Sequence, residues 1–157
     1  MLPMTDLFKE RPLVEEIVIF DIDGTLADIS ERVHHIGRKP RNWNAFNAGM
    51  AQDKAIHSMV RLCNILYASG LYIILCSGRN EKNRPETVEW LKTQGVNYHK
   101  LLLRKDEDFR TDSVVKREIL ETLDKSRVLF VVEDRSRVVE MWRSEGLVCL
   151  QCAPGEF

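Results

Sequence analysis

The stretch Ile17–Asp28, which reads IVIFDIDGTLAD, decides the fold of this chain. Four apolar, mostly β-branched residues predict a buried strand, and Gly24-Thr25 predicts the turn that ends it. Asp21 and Asp23 lie where this strand runs into the turn. Carboxylates this close together repel each other unless a cation or a shared proton relieves them. Because Mg²⁺ favours carboxylates together with water and phosphate oxygens, the stretch indicates a Mg²⁺-assisted phosphate site.

The composition of the 157-residue chain is that of a globular protein, with 44% hydrophobic and 30% charged residues. We expect a single domain over residues 1–157. The net charge of -1 argues against a protein-wide basic field that would attract duplex nucleic acid or an anionic membrane. The longest apolar runs are too short to span a bilayer, and Met1–Glu16 lacks the apolar core of a signal peptide. We therefore expect a cytoplasmic location.

Apolar segments alternate with amphipathic ones along the rest of the chain. We predict strands at Ile17–Asp21, Leu71–Cys76, Lys100–Leu103, Val128–Glu133 and Leu147–Gln151. The predicted helices are Lys54–Ser69, Pro85–Gln94, Ser113–Asp124 and Arg135–Glu145. This alternation predicts an α/β, Rossmann-like fold, with a parallel sheet of about five strands and flanking helices. Ligands of such sheets bind beyond the carboxyl ends of the strands.

The first connection is longer than the others and contains a polar, irregular stretch, Ile29–Asp53. We interpret residues 29–53 as a small insertion that lies over the strand ends. Its aromatic residues Trp43 and Phe46 suit either of two roles: stacking on a nucleobase, or packing the insertion against the domain.

Polar and charged residues follow each predicted strand, and the topology gathers them on one rim. These candidates are Thr25 and Arg32 after the first strand, Ser77, Gly78 and Arg79 after the second, Asp112 and Lys116 after the third, and Glu133 and Asp134 after the fourth. Lys116 is predicted in the first turn of a helix, where a cation opposes the helix dipole unless an anion lies between them. The rim therefore indicates a site for a metal and a phosphate group.

The motifs on this rim resemble those of the haloacid dehalogenase (HAD) superfamily in type, order and placement. They are Asp21-Ile-Asp23-Gly-Thr25, Ser77-Gly-Arg79, Lys116 and Glu133-Asp134. The resemblance extends to the 3′-phosphatase domain of tailed-phage polynucleotide kinase. It is carried by Val114–Ile119, Asp134–Arg143 and the tail Gln151–Phe157, and it covers residues 17–157. The insertion matches poorly apart from Arg32, and Glu133 stands where the family usually has an aspartate.

The resemblance implies a role for each motif. Asp21 would be the nucleophile that forms an aspartyl-phosphate, and Asp23 the general acid and base. Mg²⁺ would be held by Asp21, the backbone carbonyl of Asp23, and Asp134. The phosphoryl oxygens would be bound by Thr25, Ser77, Gly78, Arg79, Lys116 and Arg32. Supporting roles fall to Glu133 and to Asp112, which would orient Lys116 or Arg79.

The sequence thus predicts a Mg²⁺-dependent phosphomonoesterase that removes 3′-phosphates from polynucleotide or oligonucleotide ends. Its partner would be a phosphorylated nucleotide or the 3′ end of a single-stranded nucleic acid. Two alternatives stay open at this point. One is a phosphatase of small molecules or nucleoside monophosphates, and the other is a non-catalytic module that binds nucleotides or strand ends. The sequence does not indicate the oligomeric state, or whether a separate kinase or ligase takes part.

Overall fold

A computed structural model describes residues 15–157, which form seven strands and five α-helices with short 3₁₀ turns between them. The strands are β1 (Ile17–Phe20), β2 (Ala27–Asp28), β3 (Lys54–Ala55), β4 (Tyr72–Asn80), β5 (Lys100–Arg104), β6 (Val128–Glu133) and β7 (Cys149–Gln151). The helices are α1 (Trp43–Ala48), α2 (His57–Ala68), α3 (Arg84–Thr93), α4 (Asp112–Glu121) and α5 (Ser136–Ser144).

Five strands form a parallel sheet in the order β5-β4-β1-β6-β7, as the sequence predicts. β1 lies at the centre, where Ile19 is in register with Ile74 of β4 on one side and Val131 of β6 on the other. The chain passes to one side of β1 first and to the other side later. This reversal opens a crevice beyond the carboxyl end of β1, where ligands of such sheets bind.

The helices cover the two faces of the sheet and divide the core into two clusters. α2 and α3 pack on one face, where Cys63 and Leu91 meet Val18 and Phe20. α4 and α5 pack on the other, where Trp142 is 1% exposed beside Ile19. Successive residues of β1 therefore point to opposite layers, and all four are buried. A central strand buried on both faces gives the rim that follows it a rigid support.

Several predicted boundaries differ from the structure, two of them for clear physical reasons. The helix predicted from Lys54 begins at His57, because Lys54 and Ala55 pair antiparallel with Ala27 and Asp28. The strand predicted to end at Cys76 continues to Asn80 in β4, so that Ser77-Gly78-Arg79 lies within a strand rather than after it. The register against β5 shifts between Ser77 and Asn80, which shows that the backbone departs from regular pairing at this motif.

The stretch 29–53 is more ordered than its composition predicts. It contains α1 and two 3₁₀ turns, Val33–His35 and Met50–Gln52. Its side chains form a small third cluster of Ile29, Ile36 and Phe46, with Phe157 packed against it. Across residues 15–157, no helix has the length and apolar character needed to span a membrane.

Candidate active site

Asp21 lies at the carboxyl end of the central strand and is 5% exposed. Its backbone N–H still donates to Val132, at 3.0 Å, so the sheet fixes its position. The Lys116 ammonium donates to Asp21 Oδ1 at 2.7 Å, and the Thr25 hydroxyl lies 3.3 Å from Oδ2. Both oxygens of this carboxylate are therefore oriented by neighbours.

Three carboxylates meet at this rim: Asp21, Glu133 and Asp134 offer oxygen atoms within 4.8 Å of one another. Burial, with the negative charge of Glu133, raises the pKa of Asp21 well above its usual range, although Lys116 opposes the shift. Burial and Glu133 also raise the pKa of Asp134, to about 8. Lys116 neutralises one charge by bridging Asp21 and Glu133, at 2.7 and 2.8 Å. The cluster therefore has negative charge that one ammonium group does not balance.

One carboxylate oxygen of the cluster is placed to bind a cation. Asp134 Oδ1 is buried and has no hydrogen-bond partner among the described residues. Gly24 leaves room for this carboxylate, since a Cβ at Gly24 would lie 1.9 Å from Asp134 Oδ2. An unpaired carboxylate oxygen beside two other acids is the arrangement expected of a site for a hard divalent cation.

Asp23 is held by two guanidinium groups on the other side of the rim. Arg79 Nη2 and Arg32 Nη2 each lie 2.6 Å from Asp23 Oδ1. Burial alone would raise the pKa of Asp23, but Arg79 and Arg32 outweigh it and lower the pKa to about 2. The two aspartates of the first motif, two residues apart, therefore have pKa values shifted in opposite directions.

Arg32 is 3% exposed, so the insertion delivers it into the site rather than into solvent. Asp53, which the sequence analysis did not single out, binds its guanidinium through Nε and Nη2 at 2.6–3.0 Å. Arg32 Nη1 donates to the Phe46 carbonyl, and the Phe46 ring lies 4.2 Å from the guanidinium carbon. The sequence offered no signal for Asp53, because 20 residues separate it from Arg32.

Asp112 does not orient Lys116 or Arg79 by hydrogen bonding, so that prediction is wrong. Its carboxylate instead accepts from Arg104 and, at 3.1 Å, from Arg135. Gly78 packs directly against this carboxylate, because a Cβ there would lie 2.4 Å from Asp112 Oδ1. Asp112 thus joins the Ser77-Gly78-Arg79 motif to two arginines that the sequence analysis did not select as site residues.

Lys116 is the fifth residue of α4, so its predicted place in the first turn of the helix is also wrong. It is 1% exposed and reaches inward to the carboxylates. Burial disfavours its charge, yet Asp21 and Glu133 together raise its pKa well above the ordinary value. The anions that stabilise the buried charge of Lys116 are therefore the carboxylates of Asp21 and Glu133.

The predicted residues surround one cavity of about 340 Å³. Its wall includes Asp21, Asp23, Gly78, Arg79, Asp112, Lys116, Glu133 and Asp134. Thr25, Ser77 and Arg32 lie behind that wall and are at most 3% exposed. The Ser77 hydroxyl accepts from the Arg79 N–H at 3.2 Å. The structure therefore brings all the predicted residues to one place, three of them in its supporting layer.

Comparison with known proteins identifies the family to which this chain belongs. The family model for the phosphatase domain of polynucleotide kinase PNKP matches residues 15–157. The chain belongs to this family. It is accordingly a phosphatase domain of the HAD superfamily, with the α/β fold that the sequence predicts.

Solved structures agree with this assignment. In a structure of the Pnkp1/Rnl/Hen1 RNA repair complex, one chain is 30% identical with a TM-score of 0.78, over 95% of this chain and 46% of that one. A second structure of the Pnkp1/Rnl/Hen1 complex gives 33% identity and a TM-score of 0.77, over 92% of this chain and 47% of that one. The phosphatase domain thus spans less than half the length of these two relatives. A predicted phosphatase from Clostridium acetobutylicum shares the fold at 14% identity and a TM-score of 0.65, over 88% of this chain and 84% of that one.

Proposed function

We propose that this phosphatase domain removes 3′-phosphates from nucleic acid ends through an aspartyl-phosphate on Asp21, with Mg²⁺ as its cofactor. The observation that carries the proposal is the pair of aspartates with opposed environments. Asp21 lies among acids and Lys116, whereas Asp23 lies between two arginines. A carboxylate nucleophile must be ionised and a general acid must be protonated, so each environment serves its role only once the cation and the substrate phosphate have bound.

The acidic cluster fits Mg²⁺. Asp21 and Asp134 would hold it, together with the backbone carbonyl of Asp23, and Glu133 would support them through its contacts with Lys116 and the Asp134 N–H. The buried, unpaired Asp134 Oδ1 is the structural support for this ligand set. When bound, Mg²⁺ supplies positive charge that offsets the repulsion between a carboxylate nucleophile and an anionic phosphate.

In the first step, an Asp21 oxygen attacks phosphorus while the bond from phosphorus to the 3′ oxygen breaks. Asp23 gives its proton to the departing oxygen. In the second step, Asp23 takes a proton from water, whose oxygen attacks the same phosphorus and releases phosphate from Asp21. Lys116 holds the Asp21 carboxylate in place for both displacements, and Thr25 and Ser77 keep this part of the rim in shape.

The first step requires a protonated Asp23, although its two arginines keep it ionised in the free domain. Binding of a substrate phosphate would allow Asp23 to take up a proton, because the phosphate oxygens compete with Asp23 for the Arg79 guanidinium. As Arg79, which lines the cavity, turns toward phosphate, the pKa of Asp23 rises toward its ordinary value. Substrate binding and protonation of Asp23 are thereby coupled, so the general acid becomes active only when a phosphate is bound.

A nucleic acid end as substrate is supported by the family and by the RNA repair complexes that contain two of its relatives. The cavity wall also carries Arg41, Lys82 and Arg137, which suit the phosphates of a short strand. We expect a kinase or ligase activity, where one accompanies this domain, to reside outside the residues described.

The deciding experiment compares phosphate release from a 3′-phosphorylated oligonucleotide, the 5′-phosphorylated isomer and free mononucleotides, with and without Mg²⁺. We expect release from the 3′-phosphorylated strand that depends on Mg²⁺. Asp21→Asn should abolish turnover and preserve binding, whereas Glu140→Gln, the same kind of change on the exposed side of α5, should be neutral. Hydrolysis of free nucleotides only, or full activity of Asp21→Asn, would refute the proposal.

A further inference from the structure

Phe109 is the most exposed large hydrophobic side chain in residues 15–157, at 91%. It lies in the loop between β5 and α4 and lines the same cavity as Asp21 and Asp23. Burial of a Phe side chain is favourable, and this ring gains almost none of that free energy in the free domain because most of its surface contacts solvent. A ligand that covers the ring would recover that free energy.

The loop holds Phe109 firmly. Arg104 Nη1 donates to the carbonyl oxygens on both sides of it, those of Asp108 at 2.9 Å and Arg110 at 2.5 Å. Arg104 Nε also donates to the Gly78 carbonyl at 2.9 Å. The backbone on both sides of Phe109 is therefore linked, through the Arg104 guanidinium, to the motif that carries Arg79.

Trp43 approaches the cavity from the insertion and is 42% exposed. Its ring meets Phe46 edge to face, with centroids 5.7 Å apart and planes at 89°. Phe46 is buried and packs under Arg32, so it already performs the packing role that the sequence left open for both aromatics. The exposed part of the Trp43 ring is therefore available to contact a ligand in the cavity.

We propose that Phe109 and Trp43 form a stacking subsite for the terminal nucleobase of a single-stranded 3′ end. The inference rests on the proposed function and adds how the base beside the scissile phosphate is bound. Aromatic faces stack on any base, so the subsite would tolerate all sequences. The base must be unpaired to lie against these rings, which selects single strands over blunt duplex ends.

The basic residues on the cavity wall complete the subsite. Arg41 belongs to the insertion that carries Trp43, Lys82 follows the strand that carries Arg79, and Arg137 lies in the first turn of α5. Aromatic rings between cationic side chains are the combination found where proteins bind single strands without sequence preference. The aromatic and the basic side chains line the cavity that Asp21 also lines.

The kinetic test uses two 3′-phosphorylated oligonucleotides that differ only in the last nucleotide, which carries a base in one and is abasic in the other. We expect Phe109→Ala and Trp43→Ala each to lower kcat/KM for the base-bearing strand by about tenfold, in line with the worth of a stacked base. Each change should lower kcat/KM for the abasic strand much less. Ile65→Ala, an exposed side chain on α2 away from the cavity, serves as the matched control.

A binding test is independent of turnover. Trp90 and Trp142 are 4% and 1% exposed, so ligand quenching of tryptophan fluorescence reports on Trp43. In the Asp21→Asn background, the base-bearing strand should quench this fluorescence, the abasic strand should not, and Trp43→Phe should remove the signal.

The outcomes separate the two proposals. If the unsubstituted domain releases no phosphate from either strand, the proposed function fails, and the quenching still decides the subsite. If phosphate is released but both strands respond equally to Phe109→Ala and no quenching occurs, the stacking subsite is refuted while the proposed function stands.

Discussion

Gly78 shows how little space a single residue of the site has. A Cβ at this position would lie 2.4 Å from Asp112 Oδ1, and the Asp112 carboxylate is itself held by Arg104 and Arg135. The carboxylate is thus not the loose end of a flexible chain. A methyl group at residue 78 must displace it or the strand.

We therefore predict that Gly78→Ala lowers kcat by about 10- to 100-fold, because displacements near 1 Å at a catalytic rim have that effect. Overpacking should also destabilise the fold by about 1–3 kcal/mol. Phosphate release and thermal unfolding measure the two effects. The matched control is Gly37→Ala, where the nearest atom to an added Cβ is 3.6 Å away. If both variants behave alike, the contact with Asp112 does not constrain the site.

For individual residues, the sequence predicted which side chains lie together at the site but not which of them form ion pairs with one another. The local motif around Asp21 is read from strand and turn signals, which are short-range. Pairings such as Lys116 with Glu133, or Asp112 with Arg104, depend on the side-chain directions of separate elements. Lys116 is a buried bridge between two carboxylates rather than a cation that opposes the helix dipole, and only the folded arrangement of β1, β6 and α4 shows this.

Among the elements, the insertion of residues 29–53 depends most on tertiary contacts. α1 has six residues, too few for an isolated helix to be stable. The Asn42 side chain caps it, and Phe46 anchors it beneath Arg32. The sequence predicted an irregular stretch here because such anchors leave no periodic pattern, whereas β5 and β6 were confirmed from their apolar runs.

The Arg32–Asp53 pair joins the two ends of this insertion. Both side chains are 4% exposed, and removing one partner of a buried ion pair typically costs about 3–5 kcal/mol. We predict that Asp53→Asn loosens the insertion, speeds tryptic cleavage after Arg38 or Arg41, and lowers kcat/KM by weakening the grip of Arg32 on Asp23.

Limited proteolysis followed by mass spectrometry identifies the cleavage site. Asp28→Asn makes the same chemical change at a residue that accepts a hydrogen bond only from Ser30 among the contacts described, and it should leave cleavage unchanged. Equal cleavage rates for Asp53→Asn and the unsubstituted domain would show that the ion pair does not hold the insertion.

For the molecule as a whole, the sheet concentrates charge at one end of β1 while the net charge stays at -1. Folding forces Asp21 and Asp134 together with Glu133 against their mutual repulsion. Stability and cofactor binding are therefore linked, since anything that neutralises this rim also stabilises the fold.

The pKa shifts give this linkage a direction. A carboxyl whose pKa is raised by folding favours the folded state below its ordinary pKa of 3.8, and this contribution is lost as the pH rises through the folded value, about 8 for Asp134. Asp23, whose pKa is lowered to about 2, acts in the opposite sense but only at more acidic pH. Between pH 5 and pH 8 the raised carboxyls dominate, so the metal-free domain should lose stability across this range.

We predict that Mg²⁺ raises the Tm more at pH 8 than at pH 5, because a proton no longer competes with the cation at higher pH. A concentration of about 100 times the Kd gives about 2.7 kcal/mol, which corresponds to a shift of about 5–10 °C for a domain of this size. Thermal unfolding at several pH values, with Mg²⁺ or with a chelator, measures the effect, and Asp134→Asn should abolish most of it. A shift that is independent of pH, or that persists in Asp134→Asn, would place the stabilising cation elsewhere than at the three carboxylates.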